Sequence, residues 1–190
     1  MALPGPNEIV ASLYGAVRLL RRDAGGLNDF NLTEEGFWRS FFAMVFVLPL
    51  SAFAAVTFRE NPDVSAMAVA SRTIVNLTLQ WAAFTAAMLA YTRALQLSHN
   101  YMRFITAYNW SSVVATLCMM VPVLLHNLGL LGIWGALMLV FFVFLAMLTY
   151  FWYVAREALN CSGFVAAGVV FMDFLMNVTI ERLFGLPQPL

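Results

Sequence analysis

Lysine is absent from this chain of 190 residues; all ten basic residues are arginine. Charge of either sign is scarce, at 11% of residues where an ordinary soluble domain carries about 25%. Ten acidic residues balance the ten arginines, so there is no basic tract to hold nucleic acid and no acidic tail to hold a basic partner. Cysteine is limited to Cys118, inside a hydrophobic run, and Cys161, at a helix start. That placement excludes a disulfide framework and a cysteine metal site. His99 and His126 are the only histidines and flank opposite ends of one hydrophobic segment, so they cannot share a haem or a metal. Also missing are a glycine-rich phosphate loop, a His-Glu-x-x-His pair and a serine nucleophile elbow. These absences set the expectation of a non-enzymatic protein with no cofactor.

Apolar residues are what the chain has in excess, 62% of the total, with a mean hydropathy of +0.81. A water-soluble core of this size could not bury so much, because small domains keep a large share of their surface exposed. Hydrophobic stretches near residues 41–57, 73–94, 105–125, 131–153 and 163–180 are separated by loops too short to hold a soluble domain. Most of them approach the ~20 residues that a tilted transmembrane helix needs. The expected fold is therefore all-α: a polytopic transmembrane helical bundle of about five spans with an N-terminal amphipathic helix. Residues 1–36 form the N-terminal segment, 37–184 the membrane domain and 185–190 a short tail. The first hydrophobic run begins only after residue 40, behind Arg18, Arg21, Arg22 and Arg39, and so reads as a retained anchor rather than a cleaved leader.

Residues 7–22 carry Ile9, Leu13, Val17 and Leu20 at helical spacing, with arginines towards the C-terminal end. Such a helix either packs on the loops of the membrane domain or lies on an anionic leaflet with its arginines among headgroups. Asn31 or Thr33 can cap the helix that follows. Pro49 is expected to kink the first span. The fifth segment is the weakest assignment of the five, because it contains Asp173 and Asn177, and a re-entrant form is its alternative.

With the N-terminus in the cytoplasm, Arg18, Arg21, Arg22, Arg39, Arg93, Arg103 and Arg156 fall inside, and Arg59, Arg72 and Arg182 outside. That distribution satisfies the positive-inside tendency and places the C-terminus outside. The all-arginine usage fits the codon bias of a GC-rich genome, and the expected location is a bacterial inner (plasma) membrane.

Polar residues within spans are costly unless partnered, so they carry most of the functional information. Arg72, Asn76 and Gln80 step by four along the second span, and Asp173, Asn177 and Glu181 step by four along the fifth. Each set shares one helix face. The two helices run antiparallel, and the position numbers of Arg72 and Glu181, of Asn76 and Asn177, and of Gln80 and Asp173 add to the same total. The spacing predicts direct packing, with an Arg72–Glu181 ion pair near the outer surface and hydrogen bonds deeper in. This cluster is either a structural staple or a hydrated path with Asp173 as a proton or cation site. Tyr108, Asn109, Ser111, Ser112 and Thr116 of the third span either satisfy carbonyls of their own helix or line a small cavity facing the cytoplasm. Small-xxx-small rows at Ala83/Ala87, Ala86/Ala90 and Gly163/Ala167 suggest close packing within the bundle, or else a dimerisation face.

The layout from about residue 38 to 184 resembles the Yip family of small five-span membrane proteins. Leu13-Tyr14-Gly15 is a fragment of that family's Asp-Leu-Tyr-Gly-Pro signature, but it stands in the amphipathic segment rather than beside the spans, so no residue role transfers. The resemblance implies membrane shaping and, for eukaryotic members, trafficking through small GTPases; a bacterial member would lack that pathway. The function expected is a scaffold, assembly or membrane-organising component, alone or as a subunit of a larger complex. Its partners would be the bilayer and other membrane subunits or further copies of itself, with no nucleic acid. The alternative is a small oligomeric transporter or channel using Asp173 and the polar third span.

Overall fold

The computed structural model describes residues 3–59, 61 and 63–184, and all of its regular structure is helical. Five helical segments are long and apolar enough to cross a membrane: Glu34–Thr57, Ala66–Ala94, Ser98–Asn127, Ile133–Leu159 and Gly163–Phe184. The protein is thus an integral membrane protein by its architecture. The expected tail at 185–190 and parts of the polar hairpin at 59–63 lie outside the described residues.

Helix α1 spans Pro6–Leu20, with Pro6 at its first position, where a missing N–H costs nothing. A 3₁₀ turn at Ala24–Asp29 follows, and then α2, Glu34–Ser40, capped by Thr33, whose hydroxyl accepts from Gly36 N at 3.1 Å. Asn31 Oδ1 instead accepts from the Thr33 backbone and hydroxyl. A 3₁₀ turn at Phe41–Ala43 joins α2 to α3, Met44–Thr57. The local irregularity of the first span falls there, and α3 runs through Pro49 to Thr57 without a break.

The remaining spans are longer than the hydropathy suggested. Helix α4 covers Ala66–Ala94 behind a Ser65 cap, α5 covers Tyr101–Asn127, and α6 covers Ile133–Leu159. At 27 residues α6 is about 40 Å long, so it overshoots a hydrocarbon core of about 30 Å. Helix α7, Gly163–Phe184, is helical throughout, not the re-entrant form that Asp173 and Asn177 left open. Successive spans alternate in direction. The starts of α3, α5 and α7 therefore share one end with α1, the α1 face, and the loops after α3 and α5 share the other, the far face.

Helix α1 packs on the bundle, which decides between the two placements its amphipathic pattern allowed. Ala16 and Leu19 are fully buried in the same cluster as Trp110, Tyr150 and Val154. Tyr150 donates its hydroxyl to Ala16 O at 2.8 Å, and Tyr153 donates to Arg22 O at 2.8 Å. Glu8 ties α1 to α2 through Arg39 at 2.9 Å and Asn31 at 3.1 Å. Gly15 and Gly26 let α1 and the 3₁₀ turn meet backbone to backbone: a Cβ on Gly15 would stand 2.6 Å from Gly26 O. The small-residue rows are divided: Ala86, Ala90 and Ala167 are exposed and Ala83 and Ala87 half-buried, while Gly163 lies close to α6, where a Cβ would stand 3.0 Å from the Trp152 ring. A second close approach is made by Gly168, where a Cβ would stand 2.7 Å from the Tyr91 hydroxyl, and that hydroxyl donates to Val165 O at 3.2 Å.

Arg18 holds the loop after α1 through Asp23 at 2.7 Å and Asp29 at 2.8 Å. The Arg18 guanidinium depresses the Asp23 carboxyl below its ordinary 3.8. Because the folded value is lowered, Asp23's contribution is fully present above pH 3.8 and is lost as pH falls through the folded value. The hydrogen-exchange protection factors of residues 6–29, corrected for the intrinsic pH dependence of amide exchange, are therefore expected to stay constant from neutral pH to about pH 4 and to fall below it. Tyr150→Phe removes the side-chain hydrogen bond to Ala16 O, whose carbonyl keeps its place in the α1 ladder. It is expected to loosen α1 by about 0.5–1.5 kcal/mol, read as faster proteolysis within residues 6–22 while the span helices stay protected.

Candidate functional site

The six polar residues of the second and fifth spans come together along the α4–α7 seam. Arg72 Nη2 donates to Glu181 Oε1, and Asn76 Nδ2 donates to Glu181 Oε2 at 3.1 Å. Asn177 Nδ2 donates to Gln80 Oε1 at 2.8 Å, and Gln80 Nε2 reaches Asp173 Oδ1 at 3.4 Å, a long contact. The pairing differs in one respect from the simple register. Asn76 reaches Glu181 and not Asn177, and Asn177 bonds Gln80, because these side chains lean along the axis to the neighbouring rung. Two of the three residues on α4 thus share one carboxylate, while Gln80 joins Asn177 to Asp173 in a second, deeper group.

Asp173 stands about 15 Å along α7 from Gly163, near the middle of the span. Besides Gln80 it accepts from the Tyr108 hydroxyl at 3.1 Å. Among the described residues no cation lies within ion-pair distance of it. The carboxylate therefore depends on two neutral donors.

A cavity of about 420 Å³ reaches Asp173 and is lined by Ser51, Gln80, Ser112, Thr116 and Asn177 among apolar neighbours. A second, of about 310 Å³, shares Ser51, Leu77, Gln80 and Asn177 with it and extends to Asn76, Thr73 and Glu181. Together they make a cleft that leads from mid-span to the far face, where Glu181 has 57% of its side chain exposed. Towards the α1 face the way is blocked by aromatic rings. Tyr108 packs on Phe84 at 4.6 Å, on Phe151 at 5.2 Å and on Phe104 at 5.8 Å. Ser112 and Thr116 do line a polar space, but it leads away from the α1 face, contrary to the cytoplasm-facing cavity expected of the third span.

The sequence matches no family model, no curated protein and no solved structure. What can be said of the site rests on its geometry.

Below the aromatic block lies a second polar device that the stepwise pattern did not expose. Trp81 Nε1 donates to Asn109 Oδ1 at 2.7 Å, Asn109 Nδ2 donates to Ser40 Oγ at 2.8 Å, and Ser40 donates to Phe37 O at 2.7 Å. Asn109 and Ser40 are completely buried. This chain fastens α4, α5 and the end of α2 at one point. Asn109 was a candidate from the sequence, but Trp81 and Ser40 were not, since a single tryptophan and serine on separate helices have no spacing that relates them. His99 and His126 lie near opposite ends of the ~40 Å α5 segment, and no group of His, Cys, Asp and Glu suited to a metal occurs among the described residues.

Asn109→Leu strands the Trp81 N–H and removes the Ser40 donor, both buried. It is expected to cost about 1–3 kcal/mol for the stranded group, seen as a clear fall in Tm in detergent. Asn177→Leu removes one interhelical bond on an exposed side chain and is expected to cost about 0.6 kcal/mol, a shift near the limit of the same measurement.

Proposed function

We propose that this is a non-enzymatic membrane component that works through its helix surfaces, as an assembly or membrane-organising subunit. One observation supports this most: the polar side chains of the α4–α7 seam and of the Trp81–Asn109–Ser40 chain are paired with one another, while α6 and α7 turn large apolar groups outward. Trp134, Met138 and Phe142 form one exposed stripe on α6, and Phe164 and Phe171 are exposed on α7. The internal pairs fix how the spans pack; the outward faces are free for lipid or other subunits. A Yip-like layout is compatible with this role. The arginine distribution supports an inner bacterial membrane with the α1 face in the cytoplasm and α7 ending outside.

A second reading has its own support. The cleft from the far face to Asp173 gives a proton or small cation access to a mid-span carboxylate, as a small oligomeric transporter would need. The aromatic block beneath Tyr108 makes the cleft one-sided, so this reading requires a second conformation.

Purification in mild detergent and reconstitution into liposomes separates the two. The assembly reading expects a stoichiometric complex, of copies or of a foreign subunit, cross-linked through a cysteine placed at position 138 or 142. It also expects no pH-driven flux, and an unchanged complex in Asp173→Asn. A proton- or cation-driven flux that Asp173→Asn abolishes would replace it with the transporter reading.

A further inference from the structure

Between α6 and α7 lies an open groove of about 660 Å³ lined by Phe144, Leu148, Trp152, Val170, Phe171 and Phe174, separate from the Asp173 cavity but bordering it. Its lining is almost wholly apolar, with one exception: the Arg22 side chain stands at the groove beside Thr149. We infer that this groove is a site for an anionic phospholipid, with Arg22 holding the phosphate and the cleft between α6 and α7 holding an acyl chain.

Arg22 is held there by several contacts. Its Nη1 donates to Thr149 O at 2.8 Å and its Nη2 to Thr149 Oγ1 at 2.9 Å. Its guanidinium stacks on the Tyr153 ring with its centre 5.0 Å from the centroid. The backbone adopts φ 64°, a left-handed conformation that residues with a Cβ ordinarily avoid. The chain thus turns sharply after α1 and delivers a cation to α6 some ten residues before that helix ends.

Among the described residues no carboxylate lies within ion-pair distance of this cation. The nearest candidate in sequence, Asp23, is engaged by Arg18 and by Gly25 N, and Glu157 lies beside Arg156 at 4.0 Å. A guanidinium carries five N–H donors, of which the contacts to Thr149 use two. The rest, together with the full charge, are available to a phosphate, the partner whose geometry an arginine fits best.

The surroundings match the depth of a headgroup. Trp152 and Tyr153 are amphipathic rings of the kind that sit where headgroups meet hydrocarbon. Trp152 Nε1 donates to Gly163 O at 2.8 Å, and Arg156 stands over its ring at 5.6 Å, adding a second cation one turn further out. From Trp152 to Phe144 the groove descends eight residues of α6, about 12 Å into the hydrocarbon. A cation at the mouth, aromatic rings at the interface and an apolar channel beneath them are complementary to an anionic lipid and not to a soluble anion.

Native mass spectrometry of the full chain in mild detergent, titrated separately with phosphatidylglycerol and phosphatidylcholine, tests the assignment. The wild type is expected to retain phosphatidylglycerol preferentially. Arg22→Gln is expected to retain it about tenfold less, the scale of one charge-assisted contact, and to lose the headgroup preference. Ala167 lines the groove from α7, so Ala167→Phe fills it without removing the Arg22 charge and must reduce retention of both lipids even if Arg22→Gln fails to fold. Thr149→Val removes a hydroxyl contact but keeps the charge, and is expected to keep the preference. The inference is overturned by equal retention of the two lipids in the wild type or by unchanged retention in Arg22→Gln or Ala167→Phe. A lipid-free dimer would overturn it too and would assign the groove to a second copy.

Discussion

Inside a bilayer there is no water to satisfy a polar group, and the contact between α4 and α7 is the clearest consequence of that constraint. Arg72, Asn76 and Gln80 would each be costly facing lipid, and so would Asp173, Asn177 and Glu181. Set against each other, they satisfy one another and align the two helices. Apolar side chains could not have done this, because lipid tails are as good a neighbour for leucine as another leucine is. Only 11% of the most apolar window of α7 is buried. Its position rests on this seam, on the Gly168–Tyr91 approach, and on its packing along α6, where Trp152 meets Gly163 and Phe144 meets Phe174.

The two ends of the bundle are built differently. At the α1 face, α1, a 3₁₀ turn and α2 form a cap in the manner of a soluble domain, with a capped helix, ion pairs from Arg18 and Arg39, and fully buried Ala16 and Leu19. The Trp81–Asn109–Ser40 chain and the rings around Tyr108 seal the interior beneath it. Among the described residues the far face has no such cap, and the polar cleft runs inward from it to Asp173. A staple does not require this asymmetry, and the cleft is why Asp173 warrants a direct test.

The C-terminal turns of α6 connect these features. They provide Tyr150 and Tyr153, which dock α1, and Thr149, which holds Arg22. Arginines that could have lain on a leaflet are divided by that docking. Arg18 and Arg39 are used within the cap, and Arg22 is turned towards the lipid groove.

The sequence alone determined the solvent, the number of spans and the facing of α4 against α7. Hydropathy reports burial in lipid directly, and a four-residue step reports one helix face. It also set out both fates of the amphipathic segment without choosing between them, because periodicity shows that a face is apolar but not what covers it. Only the tertiary structure decided that α1 caps the bundle, that Asn76 turns to Glu181 and not Asn177, and that Ser112 and Thr116 look towards the far face. It alone joined Ser40, Trp81 and Asn109, and it alone brought Arg22 to Thr149, more than a hundred residues away in the chain. Such contacts depend on how side chains lean and where helices cross, and no spacing within a single helix encodes either.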